Sequence, residues 1–430
     1  MHDECQSCSP DDTHQPPEIS LKASCLKYYL IALGLFLATA SLAQPKEIIL
    51  PAQAPSQRTV QLEEQWRIGG DDDEDVLLGV VATGVLDDAG NVFLLDSQLA
   101  HVLVINPEGE LTGTLSREGE GPGELTRPSG IFLSNENQIG VSQGFPGKIV
   151  LINLDDTPGG SISLNTDPEN GGFAFIAEVA KRGGHLVVNH GSGAFDMNSG
   201  KVTTTNMLTT IDSEGAELGR FAEHSQLRDL AKQVFDEEAN FSELNNWALG
   251  NSQVLTIPNR DQYLINVKNM SGEIEQVISR PFELRERSEK DKEDLTSGFV
   301  MRVSGQNLEI EKHILDFDPV LSGLNVARDG RIFVENCFQA STLLPDGVAG
   351  RFDIVSPDGK LVEELTLELT GFNPQEDRLA FLDGIHFLWM RNFESASEAM
   401  NSGFNQGDEP SDEDYDDVEP LEVIYCRIPR

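Results

Sequence analysis

Two kinds of glycine-rich hairpin turn alternate along most of this chain of 430 residues, and this repeat limits the folds that it can adopt. The first kind precedes a short run of β-branched and aromatic residues, as in DDAGN before VFLLD (87–96) and RDGR before IFVEN (328–336). The second kind follows such a run, as at 107–109 and 357–359. Glycine suits these hairpins because it takes a positive φ without steric cost. The pattern predicts an all-β repeat fold.

The number of turns predicts the number of sheets. The first kind occurs six times, at 87–91, 134–138, 181–184, 250–253, 328–331 and 382–384. The second kind occurs five times, at 107–109, 156–160, 212–215, 269–272 and 357–359. These counts fit a six-bladed β-propeller whose last blade has only three strands from the C-terminal end. We expect residues 58–68 (RTVQLEEQWRI) to supply the fourth strand, because ring closure leaves only short, protected sheet edges.

The best copy of the repeat runs from residue 91 to residue 130. Its matching residues are Asp96 at a strand end, His101 before an aliphatic strand, Asn106 and Gly109 in a turn, and GEGPGE at 119–124. In these residues the chain resembles the NHL-like repeats of secreted bacterial six-bladed β-propeller proteins. The resemblance implies the fold and not a reaction, because one fold hosts many functions. Some NHL-like propellers are lyases that hold a metal with histidines at the central channel.

Residues 1–43 are expected to be an N-terminal extension and a signal peptide. Lys22 and Lys27 precede the apolar run YYLIALGLFLATASLA, and the small residues at its end predict cleavage after Ala43. The run is shorter than the roughly 20 residues of a spanning helix, so we expect no stable membrane span after cleavage. An uncleaved anchor is the alternative. The sequence thus predicts a secreted or periplasmic protein, with a linker at 44–57 and a single propeller at 58–430.

The cysteines agree with an extracytoplasmic location without proving it. Cleavage after Ala43 would leave only Cys337 and Cys426. In an oxidising compartment these two residues can form a disulfide, and the alternative is a pair of separate buried thiols.

The chain is strongly acidic, with 72 Asp and Glu against 31 Lys and Arg and a formal net charge of −41. This charge argues against nucleic acid and anionic membranes as partners. Two acidic clusters stand out. The first includes Asp71, Asp73 and Asp75, and the second includes Asp412, Asp414 and Asp416. Carboxylates can hold Ca²⁺ or another divalent cation. A run of like charge is more typical of a solvated loop, such as the acidic flexible loop expected at about 392–420.

The longer connections between strands should share one face of the propeller, opposite the short turns. They are residues 69–79, 116–127, 191–202, 223–246, 281–319, 336–350 and 392–420. Loops on a rigid scaffold often carry function, so this long-loop face is the predicted binding face. Apolar spacing predicts short helical insertions at 227–244 and 283–303.

Five residues on the long-loop face are ligand candidates. Arg117 and Arg127 bracket the GEGPGE link and can bind an anion or pair with nearby glutamates. His190, His224 and His313 are the histidines that could converge on a metal. No catalytic residue is assigned. The sequence favours a binding or interaction module with a protein, peptide or glycan ligand. The alternative is a propeller enzyme, a metal-dependent lyase or a lactone or ester hydrolase, with its site at the central channel.

Overall fold

The computed structural model describes residues 44–70, 76–164, 172–196, 199–229, 234–297, 301–303, 306–308, 310–339, 343–405 and 419–429. The chain has two compact units, residues 1–44 and 45–430, and the second contains every strand given below. The predicted signal peptide and the acidic candidates Asp71, Asp73, Asp75, Asp412, Asp414 and Asp416 lie outside the described residues. No helix in the described ranges is long and apolar enough to cross a membrane.

The second unit is a six-bladed β-propeller, which confirms the predicted fold. Three strands come before the first repeat: β1 (Lys46–Ile49), β2 (Gln57–Gln61) and β3 (Glu63–Gly69). Blade 1 contains β4 (Val81–Leu86), β5 (Val92–Asp96), β6 (His101–Ile105) and β7 (Leu111–Leu115). Blade 2 contains β8 (Pro128–Asn135), β9 (Gln138–Gln143), β10 (Lys148–Asn153) and β11 (Pro158–Ser163). Blade 3 contains β12 (Gly172–Arg182), β13 (His185–Asp196), β14 (Lys201–Ile211) and β15 (Glu217–Asp229).

The second half of the ring carries the helical insertions. After blade 3 come β16 (Val234–Asp236), helix α1 (Glu237–Asn240) and a 3-10 turn (Glu243–Asn245). Blade 4 contains β17 (Trp247–Leu249), β18 (Gln253–Thr256), β19 (Leu264–Asn269) and β20 (Ile274–Ser279). The link to blade 5 contains α2 (Glu289–Ser297), β21 (Met301–Val303), β22 (Gln306–Leu308) and β23 (Glu311–His313). Blade 5 contains β24 (Leu321–Val326), β25 (Ile332–Asn336), β26 (Val348–Val355) and β27 (Leu361–Glu368). Blade 6 contains β28 (Arg378–Phe381), β29 (His386–Arg391) and, after α3 (Phe393–Asn405), β30 (Glu422–Arg427).

The N-terminal segment closes the ring, although with other boundaries than the sequence predicts. Strand β3 pairs antiparallel with β30 and completes blade 6. Residues 58–61 belong to β2, which runs parallel to β27 as a fifth strand of blade 5. Strand β1 adds to blade 4 in the same way, parallel to β20, so residues 44–57 are not simply a linker. No hairpin turn joins these parallel partners, so the turn pattern could not show them.

The core lies in the layers between neighbouring blades. Along β5, Phe93 and Leu95 pack toward blade 2 while Val92 and Leu94 pack toward blade 6. This alternation repeats around the ring because successive side chains of a strand point to opposite faces of the sheet. Burying each such side chain contributes about 1.5–3 kcal/mol, so the blade interfaces hold the fold together.

Asp96, the strand-ending residue of the repeat, has a structural role. Its carboxylate accepts hydrogen bonds from the backbone N–H groups of Gly79 at 2.7 Å and Leu99 at 2.9 Å, and from two more nearby. The side chain is fully buried, so these bonds satisfy a carboxylate that could not otherwise remain in the core. Asp96 therefore connects the segment just before β4 to the loop that follows β5.

Three of the long connections differ from the prediction. Residues 191–202 belong mostly to the paired strands β13 and β14. Of the predicted helix at 227–244, the described residues contain α1 and the start of the 3-10 turn at Glu243, while β15 stays paired with β14 as far as Asp229. The expected flexible loop at 392–420 begins as helix α3, whose Phe393 is buried against the core between blades 6 and 1. The helix predicted within 283–303 is confirmed as α2.

Candidate functional site

The first strands of the blades surround the centre of the ring, and four of them contain the same irregularity. In β4, β8, β12 and β24 one extra residue interrupts the pairing with the second strand: Ala82, Ser129, Ala177 and Ser322. Such β-bulges redirect the neighbouring side chains. The residue after each bulge then pairs with an equivalent position of the second strand: Leu95, Ser142, Asn189 and Glu335.

Glu335 is the acidic member of this set, in which Leu95 is apolar and Ser142 and Asn189 are buried polar residues. In blade 1 the equivalent residue is Leu95, which is fully buried between blades 1 and 2. Glu335 instead places a carboxylate there, and an enclosed carboxylate is costly unless it is paired. The sequence contained a signal for this site, since IFVEN aligned on VFLLD sets Glu335 against Leu95. Our sequence analysis did not use it.

Gly323 makes room for this carboxylate. The Oε2 atom of Glu335 lies 3.0 Å from the position that a Cβ atom on Gly323 would take. In the described part of the chain, no hydrogen bond or ion pair to this carboxylate is formed. Glu335 keeps a partial exposure, so solvent reaches it, while protein atoms crowd around it. This burial raises the pKa of Glu335 to about 7.

Glu178 is a second carboxylate beside a bulge, on the inner strand of blade 3. Burial raises its pKa, and the nearby indole N–H of Trp247 partly offsets this effect. The indole nitrogen is buried and has no partner at normal hydrogen-bond geometry, so the contact is a weak one. Glu178 is more exposed to solvent than Glu335, so the two carboxylates share only the direction of their pKa shift.

A cavity of about 600 Å³ opens on the long-loop face beside blade 5. Its lining comprises Arg285, Arg287, Asp291, Asp294, Leu295, Asp318, Pro319, Ser322, Cys337, Leu343 and Gln375. The bulged residue Ser322 directly precedes Gly323, and Cys337 follows Glu335 by two positions. Gly323, Glu335 and Glu178 are not among the lining residues.

An ionic network forms one wall of this cavity. Arg287 bonds to Asp318 at 2.5 Å and to Glu237 of helix α1 at 2.7 Å. Arg285 pairs with Asp318 and, at 3.1 Å, with Asp291. Arg287 is nearly fully buried, and its ion pairs with Asp318 and Glu237 neutralise its positive charge. These contacts fix the side chain in place, so this wall is rigid.

Two arginines cross the opposite, short-turn end of the ring. Arg182 of blade 3 donates to the carbonyl oxygens of Val326 at 2.7 Å and Ala327 at 2.6 Å in blade 5. Arg328 of blade 5 donates to Asp88 of blade 1 at 2.7 Å. These bonds connect non-adjacent blades at the short-turn end of the ring.

The two candidate arginines do not reach the cavity lining. Arg117 forms an ion pair with Glu124 at 2.7 Å, one of the pairings that the sequence left open, and its side chain is largely exposed. Arg127 is exposed and lies with Ser97 and Pro128 in a separate shallow hollow near blade 1.

The three candidate histidines lie on separate strands. His190 is on β13 and His224 on β15, with β14 between them, so their backbones are about 10 Å apart. Burial lowers the pKa of His190. His313 is on β23, where hydrogen bonds to Glu311 and Asp236 raise its pKa. The described residues contain no group of three or more His, Cys, Asp or Glu that could hold one metal ion.

The two cysteines of the propeller are unpaired and buried. Cys337 follows β25 in blade 5, and Cys426 is in β30 of blade 6. Burial raises the pKa of both thiols, that of Cys426 to about 12. Both groups are therefore protonated thiols at neutral pH.

Neither a protein-family model nor a curated protein sequence matches this chain. Among solved structures, it is similar to an exported protein from Bacteroides fragilis, with 14% identity, a TM-score of 0.45, and 90% of this chain and 100% of that chain covered. It is also similar to a DUF4221 family member from Bacteroides vulgatus, with 9% identity, a TM-score of 0.42, and 87% and 100% covered. It is similar as well to virginiamycin B lyase from Staphylococcus aureus, with 11% identity, a TM-score of 0.38, and 85% of this chain and 100% of that chain covered.

Proposed function

We propose that this chain is a secreted or periplasmic β-propeller binding module whose ligand enters the cavity on the long-loop face. The observation that carries the proposal is the cavity of about 600 Å³ beside blade 5. This volume is within the range of about 300–1,000 Å³ that is typical of ligand sites. It would accept a small molecule or an end group of a protein, peptide or glycan.

The lining has the mixed character that ligand sites need. Leu295, Pro319 and Leu343 supply apolar contact area, while Ser322 and Gln375 supply hydrogen-bonding groups. The wall of paired arginines holds these groups on a fixed scaffold, and a preorganised site loses less entropy on binding.

A cavity-filling variant tests the proposal. Gln375 is exposed at the cavity, so Gln375→Trp should block it without disturbing the core. Gln65→Trp, on an exposed position of β3, is the matched control. Ligands found by screening peptide, glycan and metabolite collections should bind the wild type and Gln65→Trp and lose at least about tenfold in affinity for Gln375→Trp. Ligands that bind all three proteins equally would refute the cavity as the site.

The enzyme alternative requires a group of convergent metal ligands or an activated nucleophile. Within the ranges that the structure describes, no specific arrangement favours it, so binding is the better supported function. A divalent cation also stays a hypothesis for the acidic clusters at 71–75 and 412–417.

A further inference from the structure

We infer that a second cavity, where strand β2 joins blade 5, binds the carboxylate of a ligand with an apolar body, and that Arg351 pairs with this carboxylate. The cavity has a volume of about 400 Å³. The described residues that line it include none of those that line the cavity of about 600 Å³, so this site goes beyond the proposed function. The inference is carried by an arginine without an acidic partner, by two hydroxyl groups in register with it, and by two phenyl rings.

One face of blade 5 forms a wall of this second cavity. On this face Asp353 of β26 lies opposite Glu364 of β27, and Glu364 lies opposite Gln57 of β2. The guanidinium of Arg280 bonds to Asp353 at 2.7 Å and to Glu364 at 3.3 Å. The amide of Gln57 donates to Glu364 at 2.7 Å. The charged groups of this row therefore have their partners within the protein.

The next row on the same face lacks such partners. Two positions along each strand, Arg351 lies opposite Thr366, and Thr366 lies opposite Thr59. All three line the cavity, and they share the face of the first row because side chains two apart on a strand point the same way. Among the residues that the structure describes, the Arg351 guanidinium forms no ion pair or hydrogen bond, and neither threonine hydroxyl forms a hydrogen bond. In a chain with 72 Asp and Glu against 31 Lys and Arg, a half-buried arginine without an acidic partner is unexpected unless it serves a ligand.

This second row suits a carboxylate better than a phosphate. A guanidinium holds both oxygen atoms of a carboxylate through two parallel N–H···O bonds. Opposite residues on neighbouring strands have Cβ atoms about 5 Å apart, so the hydroxyl of Thr366 can donate to the group that Arg351 binds. One guanidinium matches the single charge of a carboxylate. The carboxylates of Glu364 and Asp353 in the first row would repel the second charge of a phosphate.

Two phenyl rings supply apolar contact area in the same cavity. Phe282 and Phe338 both line it, with their ring centroids 5.7 Å apart. Phe338 is 48% exposed, so a ligand can still cover part of its ring. Removing this apolar area from water would favour the binding of an aliphatic or aromatic body. The arginine and the rings together predict a monocarboxylate with an apolar body as the ligand.

A set of three matched compounds tests the inference with defined probes. They are 4-phenylbutyrate, 4-phenylbutanol and 4-phenylbutylamine, which share one apolar body and differ in the charge of the end group. Calorimetric titration of the protein at pH 8 and low ionic strength should show 4-phenylbutyrate binding at least about tenfold tighter than the alcohol or the amine. No binding of 4-phenylbutyrate, or equal binding of the alcohol, would overturn the inference.

Two variants and a control assign the preference to this row of side chains. Arg351→Gln removes the charge, and it should fold because no described residue loses a partner; it should reduce the affinity for 4-phenylbutyrate about tenfold. Thr366→Val removes one hydroxyl group and keeps the shape, so the reduction should be about threefold. Arg228→Gln, at an exposed position of β15, is the matched control and should keep the preference for the carboxylate. A preference retained in both Arg351→Gln and Thr366→Val, or lost equally in Arg228→Gln, would refute the assignment.

The two cavities are tested independently. Gln375→Trp, which should block the cavity of about 600 Å³, should leave the affinity for 4-phenylbutyrate unchanged. Loss of 4-phenylbutyrate binding in Gln375→Trp but not in Arg351→Gln would assign the compound to the first cavity and refute the inference.

Discussion

The Oε2 atom of Glu335 lies 3.0 Å from the position that a Cβ atom on Gly323 would take, so the carboxylate packs closely against this glycine. The two residues pair across β24 and β25, directly after the bulge at Ser322. A small residue on the inner strand therefore permits an acidic one on the second strand. A position that holds a fully buried leucine in blade 1 thus holds a partly exposed carboxylate in blade 5.

Glu335 should make the stability of the protein depend on pH. Its pKa is raised to about 7, whereas an unfolded glutamate titrates near about 4.3. Between these values the folded chain keeps a proton that the unfolded chain has released, so the free energy of unfolding falls as pH rises. The free energy of unfolding of Glu335→Leu should exceed that of the wild type by about 1–3 kcal/mol at pH 8. This difference should shrink as the pH falls toward 4. Urea unfolding across this pH range measures it.

The exposed residue Glu120 provides the control for this experiment. Glu120→Gln should leave the free energy of unfolding within about 0.5 kcal/mol of the wild type at every pH. A Glu335→Leu protein whose advantage does not change with pH would contradict the raised pKa.

The N-terminal segment should contribute to stability in two separable steps. Removal of residues 44–62 deletes β1 and β2 and uncovers the outer edges of blades 4 and 5, but leaves β3 in place. Removal of residues 44–69 also deletes β3 and opens blade 6, including the stack of Trp66 on Tyr425 with ring centroids 4.9 Å apart. We expect the shorter deletion to melt cooperatively at a lower temperature and the longer one to aggregate, because open edges promote association.

Size-exclusion chromatography and thermal unfolding of the two truncated proteins give the comparison. The Trp66→Ala variant weakens the closure without deleting β3. It should lower the free energy of unfolding by about 3–5 kcal/mol because the packing of the indole ring is lost. Identical melting of both truncated proteins and of a protein of residues 44–430 would rule out closure by β3.

Arg182 should stabilise the ring from its short-turn end. Arg182→Ala would remove the donors to the Val326 and Ala327 carbonyl oxygens and leave these groups without their charged partner. Hydrogen bonds of this type contribute about 1.5–3 kcal/mol each, so we expect a loss of at least about 2 kcal/mol in the free energy of unfolding. Arg228→Ala, at an exposed position of β15, should change it by less than about 0.5 kcal/mol. Similar losses in the two variants would contradict the bridging role.

In a protein of residues 44–430, Cys337 and Cys426 should behave as two separate thiols. Cys337 is 2% exposed and Cys426 fully buried, so a thiol reagent should react slowly with the folded protein. After the protein is unfolded without a reductant, the reagent should titrate two thiols in the wild type and one thiol in Cys337→Ser. An unfolded protein without reactive thiols would show that the two cysteines form a disulfide instead.

The repeated turns allowed most of the fold to be predicted because each hairpin is a local structure. The residues 87–91 and 328–331 form turns through their own glycine and aspartate residues, whichever blades surround them. Counting such turns gave the six blades and the need for an N-terminal closing strand. The candidate site was not predicted in the same way: Arg117, Arg127 and the three histidines were chosen as isolated residue types, and the structure leaves them dispersed.

The sequence by itself thus determined the architecture, because alternating strands and tight turns depend on neighbours in the chain. Only the tertiary structure decided that β1 and β2 lie along blades 4 and 5, since parallel pairing joins segments more than 200 residues apart. It also decided that the Glu335 carboxylate packs against Gly323, and that Arg285 and Arg287 line a cavity with residues of later segments. Enclosure of a charge depends on every element packed around it, and its effect on the pKa of Glu335 therefore exists only in the folded protein.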